Sequence, residues 1–167
     1  KKINKEKFKS LELKNYSFRY AGEKEDIYVP GLKISAGNII GLCGKSGSGK
    51  TTTLDLISGI LSPKNGFLLF NEKEINIKRN DYYDYFGYVP QSSFLFQASL
   101  AENISLENIK TIKENININD KILKVCLDAD LTELTNKLDQ GIYSSIGSGE
   151  KGLSQGQIQR VGIARAL

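Results

Sequence analysis

The first stretch of the chain alternates apolar and polar residues in short runs. Its apolar positions are Leu11, Leu13, Tyr16, Phe18, Tyr20, Leu32 and Ile34. Gly22 and the Pro30-Gly31 pair interrupt these runs, and such residues are typical of turns. Because alternation with a period of two places one set of side chains on one face, the pattern predicts antiparallel strands connected by turns.

A mostly apolar run follows at residues 38–43, which is typical of a strand buried on both faces. It leads into a glycine-rich turn. Residues 50–61 carry apolar side chains at helical spacing, and the Ser-Pro-Lys-Asn-Gly sequence at 62–66 predicts the end of that helix. Residues 67–70 and 87–89 are predicted to form two further strands.

Two matching patterns in the second half predict helix starts. Ser99 precedes Glu102 by three positions, and Ser154 precedes Gln157 by three. Both pairs fit the capping box, in which each side chain accepts a backbone hydrogen bond from the other residue. The helix that starts after Ser154 is predicted to continue to Leu167.

A third helix is predicted between these two. Asp120 is its candidate N-cap, and its apolar face consists of Ile122, Leu123, Val125, Cys126 and Ala129. We interpret the Asn-rich stretch at residues 107–119, which precedes it, as a loop or a frayed helix.

The composition excludes several kinds of site. The 167 residues contain no His, Met or Trp and carry a net charge of +4. Without imidazole, the chain cannot form a His-based triad, a His-containing zinc site or a histidine pH switch. The positive charge is mild and lacks interleaved aromatic residues, so we expect no nucleic-acid partner. The length is that of one domain or of an incomplete larger one.

The two cysteines are too few and too distant to predict a disulfide framework. We interpret Cys43 and Cys126 as buried thiols in a reducing compartment. No apolar run approaches the ~18 residues of a membrane-spanning helix.

A phosphate-binding motif is the strongest chemical signal in the chain. Residues 44–51 match G-x-x-x-x-G-K-[ST] between a predicted strand and a predicted helix. Glycines let successive N–H groups converge on phosphate oxygens at a helix N-terminus. Lys50 suits the β- and γ-phosphates, the Thr51 hydroxyl suits Mg²⁺, and Thr52 adds a donor near the α-phosphate. The predicted nucleoside triphosphate site comprises Gly44, Ser46, Gly47, Ser48, Gly49, Lys50, Thr51 and Thr52.

A second motif indicates the family. Residues 153–160, Leu-Ser-Gln-Gly-Gln-Ile-Gln-Arg, resemble the LSGGQ signature of the ATP-binding cassette (ABC) family. The residues themselves indicate a second anion-binding helix start, with Ser154 as N-cap. The resemblance implies that this surface closes on ATP held by the other domain of a head-to-tail dimer. The signature residues are Leu153, Ser154, Gln155, Gly156 and Gln157, and Gln155 stands where the family usually has a glycine.

Two more positions match the family one at a time. Gln91, after Tyr-Val-Pro, resembles the Q-loop glutamine, which implies contact with Mg²⁺ and a following loop that touches a membrane domain. Tyr20 stands where the family has the aromatic residue that stacks on adenine. Tyr16 and Tyr28 are neighbouring alternatives for that role.

The resemblance also implies a fold and its division. The expected fold class is α/β, a P-loop NTPase core with an N-terminal antiparallel β subdomain and a helical subdomain that carries the signature. We expect a single, incomplete nucleotide-binding domain over residues 1–167. Residues 11–90 would form the β subdomain and P-loop core, and residues 91–167 the Q-loop, helical subdomain and signature helix.

Residues 94–104 and the Leu-Asp-Gln-Gly sequence at 138–141 resemble exporter-type cassettes. Exporters usually have acidic residues flanking the glycine that leads to the signature. In this chain Ser145 and Ser148 occupy those places, and Glu150 lies nearer the signature.

The expected function is that of an ABC exporter domain that binds MgATP, dimerises and couples hydrolysis to transport. Its expected location is the cytoplasmic face of a membrane, most simply a bacterial inner or plasma membrane. The family's Asp-Glu pair and switch His follow the signature helix, so Lys50 is the one catalytic-type residue predicted in this chain. We therefore expect this chain alone to have negligible turnover.

Three alternatives remain: a DNA-repair ATPase, a ribosome-associated cassette and a non-hydrolysing regulatory cassette. The first puts a coiled coil between the two motifs, and no sustained heptads separate Lys50 from Leu153. The apolar run at residues 125–128 ends in Asp and mimics a metal-binding strand, but its neighbours are helical in pattern.

Overall fold

A computed structural model of the chain describes residues 7–29, 31–75, 80–83, 85–147 and 153–167. Pro30 of the first predicted turn, and Ser148 and Glu150 before the signature, lie outside this part. The chain divides into two compact units, Lys1–Phe86 and Gly87–Leu167. Each unit has its own cluster of buried apolar side chains.

The described part of the first unit is built on a five-stranded antiparallel sheet. Its elements are β1 (Ser10–Phe18), β2 (Ile27–Tyr28), β3 (Leu32–Ser35), α1 (Lys50–Ile57), β4 (Asn65–Phe70), β5 (Lys73–Ile75) and α2 (Asn80–Tyr83). Strand β1 pairs with β2, β3 and β4, and β4 pairs with β5. The antiparallel strands predicted from the alternating pattern are confirmed, as is the strand predicted at residues 67–70.

The core of the first unit follows from the alternation along β1. Leu11 and Leu13 are buried on one face of the strand. The other buried side chains are Tyr16, Val29, Leu56, Ile57, Leu68, Phe70 and Tyr82. Helix α1 begins at Lys50 as predicted but ends four residues early, because Gly59 has left-handed geometry with φ 80°.

Two predicted strands do not form. Residues 38–43 have no strand partner within the described residues, and Ile39 is fully exposed. A strand buried on both faces needs a neighbour on each side, whereas the described strands of this unit pair around β1. Residues 87–89 likewise belong to no described strand. An apolar run satisfies the pattern of a strand, but it does not supply the partner.

The second unit is mainly helical, as predicted. Its described elements are β6 (Ala98–Ser99), α3 (Leu100–Ser105), α4 (Ile109–Glu114), α5 (Ile116–Asp128), α6 (Thr132–Lys137), a 3-10 turn (Gly141–Tyr143), β7 (Ser145–Ile146) and α7 (Gln155–Ala166). Strands β6 and β7 form an antiparallel pair. Its core consists of Leu100, Ala101, Ile104, Ile112, Ile122, Cys126, Ala129, Leu131, Leu134, Ile142, Ile146, Val161 and Ala164.

Both predicted capping boxes are confirmed, at the starts of α3 and α7. The prediction of Asp120 as an N-cap is wrong, because α5 starts at Ile116 and the Asn115 side chain caps it. Asn caps a helix as well as Asp does, and the earlier start adds the partly buried Ile118 to the apolar side of α5. Leu123, expected on that side, is exposed.

The stretch at residues 107–119 is neither of the two forms expected. It contains all of α4, capped by the Asn108 side chain, and the first turn of α5. Its Ile112 side chain is fully buried, which explains why a polar stretch folds. Residues 125–128 lie in α5, so the run that mimics a metal-binding strand is helical, as interpreted.

The two cysteines differ. Cys126 is buried, as predicted, and burial raises the pKa of its thiol to about 11. Cys43 is exposed, so the prediction of two buried thiols is wrong for it. The reason is the run at residues 38–43, which forms no strand in the described structure and leaves its last residue uncovered.

Candidate functional site

The phosphate-binding motif forms a tight loop that leads directly into α1. Gly47 and Gly49 have φ angles of 78° and 83°, in the left-handed region that glycine adopts without steric cost. The Ser48 N–H donates to the Lys45 carbonyl over 3.2 Å. A Cβ atom on Gly44 would lie 2.6 Å from Ser48 Oγ, so a larger residue at this position would force the Ser48 side chain to move.

The Lys50 side chain folds back over its own loop. Its Nζ donates to the Gly44 carbonyl at 2.9 Å and to the Lys45 carbonyl at 2.7 Å. Ser48 Oγ lies 3.5 Å away. These partners are uncharged, so they hold the ammonium in place without neutralising it.

A pocket of about 260 Å³ lies beside this loop. Its lining consists of Val29, Gly31, Leu32, Leu42, Cys43, Gly44, Ser48, Lys50 and Thr53. The pocket is therefore lined by the positively charged Lys50 together with apolar side chains, among them Val29, Leu32 of β3 and Leu42.

The N-terminus of α1 is open. Gly49 occupies the N-cap position and has no side chain that could accept a hydrogen bond from the first turn. The first turn also contains no acidic residue. The leading N–H groups of a helix and its dipole attract anions, and at this helix protein groups compete little for them.

Three consecutive threonines in the first turn of α1 have different surroundings. Thr51 is exposed, and no hydrogen bond joins its hydroxyl to another described residue. Thr52 Oγ1 lies 2.9 Å from the Tyr20 hydroxyl. Thr53 Oγ1 donates to the Gly49 carbonyl over 2.9 Å, one turn earlier in the chain. Thr51 thus has the hydroxyl best placed for a ligand.

The structure brings the Tyr20 hydroxyl to the first turn of α1, next to the phosphate loop. Tyr20 is 43% exposed, and its ring meets that of Phe18 edge to face at 4.8 Å. Tyr16 is 1% exposed in the core, where burial raises its pKa to about 12. Tyr28 is 77% exposed on β2.

An ion-pair cluster that the sequence patterns did not reveal closes the loop carrying Tyr20. The Asp26 carboxylate pairs with Arg19 at 2.5 Å and with Lys64 at 2.9 Å. Hydrogen bonds from these two cations hold the pKa of Asp26 below its ordinary value. No fixed spacing links the three residues, so composition alone could not have found them.

The signature residues form the start of α7. Ser154 Oγ accepts a hydrogen bond from the Gln157 N–H at 3.3 Å, and Gln157 Oε1 accepts one from the Ser154 N–H at 2.8 Å. Leu153 packs against the core of the second unit. Gln155 and Gly156 are exposed, and no described atom lies within 4 Å of a Cβ placed on Gly156. Unlike α1, this helix start is closed by its own side chains.

Gln91 lies in the second unit, on an exposed segment that precedes β6. The same segment is packed against α7. A Cβ on Gly162 would collide with Ser93 Oγ and would lie 3.7 Å from Val89 Cγ1. The absence of a side chain at Gly162 thus permits the helix to approach this segment closely.

Arg165 joins the end of α7 to an exposed aromatic pair. Its Nη2 donates to the Phe94 carbonyl at 3.1 Å, its Nε donates to the Asn103 carbonyl at 2.8 Å, and its guanidinium lies 5.8 Å from the Phe96 ring centroid. Asn103 is fully buried and bonds to both the N–H and the carbonyl of Phe96. Sequence patterns missed both Arg165 and Asn103, because their partners are mostly backbone carbonyls.

Most of the chain, residues 30–167, matches the ABC transporter family. The chain belongs to the ABC transporter family. This ABC transporter chain is 36% identical over 161 residues to an export ATP-binding/permease protein of Rickettsia typhi, covering 95% of this chain and 27% of that protein. It is also 33% identical over 164 residues to the sophorolipid transporter of Starmerella bombicola, covering 94% of this chain and 12% of that protein.

A solved structure shows the same fold. The ABC transporter chain matches a bacterial Atm1-family ABC exporter, solved with ATP bound, with a TM-score of 0.79 and 25% identity. The match covers 96% of this chain and 27% of that one. The α/β fold of an exporter-type ABC nucleotide-binding domain, predicted from the sequence, is therefore confirmed. The chain spans about a quarter or less of the length of these two curated relatives.

Among the described helices, none combines the length and the apolar character that crossing a membrane requires.

Proposed function

We propose that this ABC transporter domain binds MgATP at the phosphate loop, pairs head to tail with a second such domain and couples ATP hydrolysis to export. The observation that carries the proposal is the open start of α1, beside a lysine already folded into the glycine loop. An uncapped helix start with a fixed ammonium has the chemistry to hold a polyphosphate.

Each residue of the loop has a proposed role. The backbone N–H groups around Gly47, Gly49 and Lys50 point at phosphate oxygens, because left-handed glycines turn the chain inward. Lys50 Nζ contacts the β- and γ-phosphates, and the exposed face of Tyr20 stacks on adenine. The whole proposed set is Tyr20, Gly44, Ser46, Gly47, Ser48, Gly49, Lys50, Thr51, Thr52 and Gln91.

The residues present fit a magnesium ion. Mg²⁺ prefers hard oxygen ligands and keeps several waters, so it needs few protein groups. Thr51 offers an exposed hydroxyl that bonds to no other described residue, and Gln91 offers an exposed amide oxygen. When bound, the ion would neutralise charge on the β- and γ-phosphates.

The signature residues 153–157 are proposed to contact the nucleotide held by a second ABC domain. Ser154 and Gly156 are exposed at the start of α7, so a partner's phosphate can approach them. The exposed Gln155 adds an amide where the family usually has glycine, and it lies on the same turn.

We further propose that the segment after Gln91 contacts a membrane domain and that the ABC domain works at the cytoplasmic face of that membrane. Phe94 and Phe96 support this role, because exposed aromatic residues are typical of interaction surfaces. Of the relatives named above, one is called an export ATP-binding/permease protein, one a transporter and one an ABC exporter. The proposal includes no nucleic-acid partner, because the mild net charge of +4 comes without interleaved aromatic residues.

The functional division of the chain is proposed to follow the motifs. Residues 11–90 supply the adenine-facing and phosphate-binding parts, and residues 91–167 supply the Q-loop, the helical subdomain and the signature. The intact protein hydrolyses ATP, whereas within these residues only Lys50 is assigned a catalytic-type role.

Calorimetric titration of the full-length protein with MgATP tests the phosphate site. Lys50→Ala should weaken binding roughly 100-fold or more, because it removes the charge that the loop carbonyls position. Lys137→Ala removes an equal charge from the exposed end of α6 and should leave the affinity unchanged. Lys50→Ala binding within twofold of the unmodified protein would contradict the proposal.

A further inference from the structure

The hydroxyl of Thr52 is used in an unusual way. A threonine inside a helix ordinarily bonds to a carbonyl of the preceding turn, as Thr53 does with Gly49 at 2.9 Å. Thr52, which is 5% exposed, lies instead 2.9 Å from the Tyr20 hydroxyl. Tyr20 lies two residues after the end of β1. Its bond to Thr52 therefore connects the segment after β1 to the first turn of α1, across 32 positions of sequence.

The bond fixes one end of a side chain that is restrained elsewhere too. The Tyr20 carbonyl accepts a hydrogen bond from the Glu23 N–H at 3.1 Å, which closes a turn. The Phe18 ring meets the Tyr20 ring edge to face, with an angle of 89° between the planes. Backbone, ring and hydroxyl are therefore each held, and part of the ring remains exposed.

The restraint matters for a ligand that has a base and phosphates. The phosphate loop leads into α1 at Lys50, two residues before Thr52, so both residues lie in the first turn of the same helix. A hydroxyl bond from Thr52 to Tyr20 therefore fixes the aromatic ring relative to the phosphate loop. Without it, the ring would be free to rotate about its side-chain bonds, and ordering it on binding would reduce affinity.

We propose that Thr52 is a positioning residue that holds the Tyr20 ring at the distance from the phosphate loop that an adenine nucleotide needs. The proposal rests on the proposed function, in which Tyr20 stacks on the base. It assigns the Thr52 side chain to the base end of the ligand, and it leaves the Thr52 N–H for phosphate. Affinity for ATP then depends on the bond between these two hydroxyl groups.

Two ligands separate this role from general damage to the site. ATP carries the base, whereas inorganic triphosphate carries only the phosphates, and calorimetry gives a dissociation constant for each with the full-length protein and Mg²⁺. Tyr20→Phe keeps the ring and removes its hydroxyl, and Thr52→Val keeps the shape of the side chain and removes the other hydroxyl. Tyr20→Phe should weaken ATP binding about three- to tenfold and change triphosphate binding less than about twofold, and Thr52→Val should weaken ATP binding at least as much.

The double variant should bind ATP no more weakly than the weaker single variant, because both changes remove the same bond. Thr52→Ser retains the hydroxyl and should restore ATP affinity. Tyr28→Phe removes a hydroxyl from the exposed face of β2 and should change neither affinity.

Three results would overturn the proposal: Tyr20→Phe binding ATP like the unmodified protein, an equal loss for ATP and triphosphate in Tyr20→Phe, or additive losses in the double variant. Because Tyr20 is partly exposed, Tyr20→Phe decides the question even if Thr52→Val does not fold. Failure of the proposed function looks different, since Lys50→Ala would then leave both affinities intact.

Discussion

The starts of α1 and α7 both present leading backbone N–H groups, but within the described residues only the start of α7 is capped by side chains. Helix α1 follows Gly49 without a side-chain cap from any described residue, while α7 follows Ser154 within a complete capping box. A helix start that is capped by its own side chains has hydrogen-bond acceptors for its leading N–H groups, whereas an open one leaves those groups for a ligand. The difference separates a helix start shaped for binding from one in which binding has to compete with the protein's own side chains.

The presence or absence of a cap has different energetic consequences for the starts of α1 and α7. A serine cap contributes about 1 kcal/mol to helix stability. Helix α1 lacks this contribution, so a ligand at its start adds stability according to its concentration and affinity. Helix α7 already has it, and a phosphate approaching Ser154 meets a hydroxyl that accepts a hydrogen bond from Gln157.

The largest expected effect comes from adding a carboxylate to the open start. In Ser48→Asp, the carboxylate would lie close to Lys50 Nζ, now 3.5 Å from Ser48 Oγ, and would take the place of a phosphate. We expect ATP binding to fall roughly 100-fold or more, measured by calorimetry. The matched change Ser154→Asp puts the same charge at α7, where Asp caps as well as Ser, and chain stability should not change. Retained ATP affinity in Ser48→Asp would remove the distinction between the two ends.

A smaller effect is expected from opening the closed start. Ser154→Ala removes the side chain that caps α7, and the free energy of unfolding should fall by about 1 kcal/mol. Gly156→Ala, two positions on, should raise it by about 0.5–1 kcal/mol, because a Cβ meets no described atom there and Ala favours helix. Denaturant unfolding measures both variants. An unchanged free energy of unfolding in Ser154→Ala would show that the α7 cap contributes nothing.

The smallest expected effect is a difference between the two capping boxes in how their contribution to stability depends on pH. Hydrogen bonds from the Ser99 backbone and side chain, and from the Ile109 backbone, lower the pKa of Glu102 from its ordinary 4.5. The box at α3 therefore adds stability above the ordinary pKa and loses it as the pH falls through the lowered pKa. The box at α7 uses Gln157, which does not titrate. In unfolding experiments between pH 7 and 3, Glu102→Gln should lose less stability on acidification than the unmodified protein.

Local patterns predicted some elements well and others poorly, and the difference is physical. Both capping boxes, and the apolar-polar alternation of β1, involve residues a few positions apart, which a sequence displays directly. The strand expected at residues 38–43 depends on a partner that its own residues do not specify. The exposure of Cys43 follows from the same missing information.

The site shows the same division. The geometry of the phosphate loop follows from its glycines, so its left-handed turns could be predicted at Gly47 and Gly49. The contact of Tyr20 with Thr52 could not, because those residues are far apart in sequence and no motif pairs them. Asp26 and Arg165 escaped notice for the same reason, since their partners lie in other segments.

The folded-back Lys50 has a consequence for how tightly a nucleotide binds. A lysine side chain has about 2 kcal/mol of rotamer entropy to lose when it becomes ordered. Two loop carbonyls already hold its Nζ, so much of that entropy is lost during folding rather than at the encounter with ligand. The phosphate loop is thereby pre-organised: an incoming triphosphate meets a charge that is already in position.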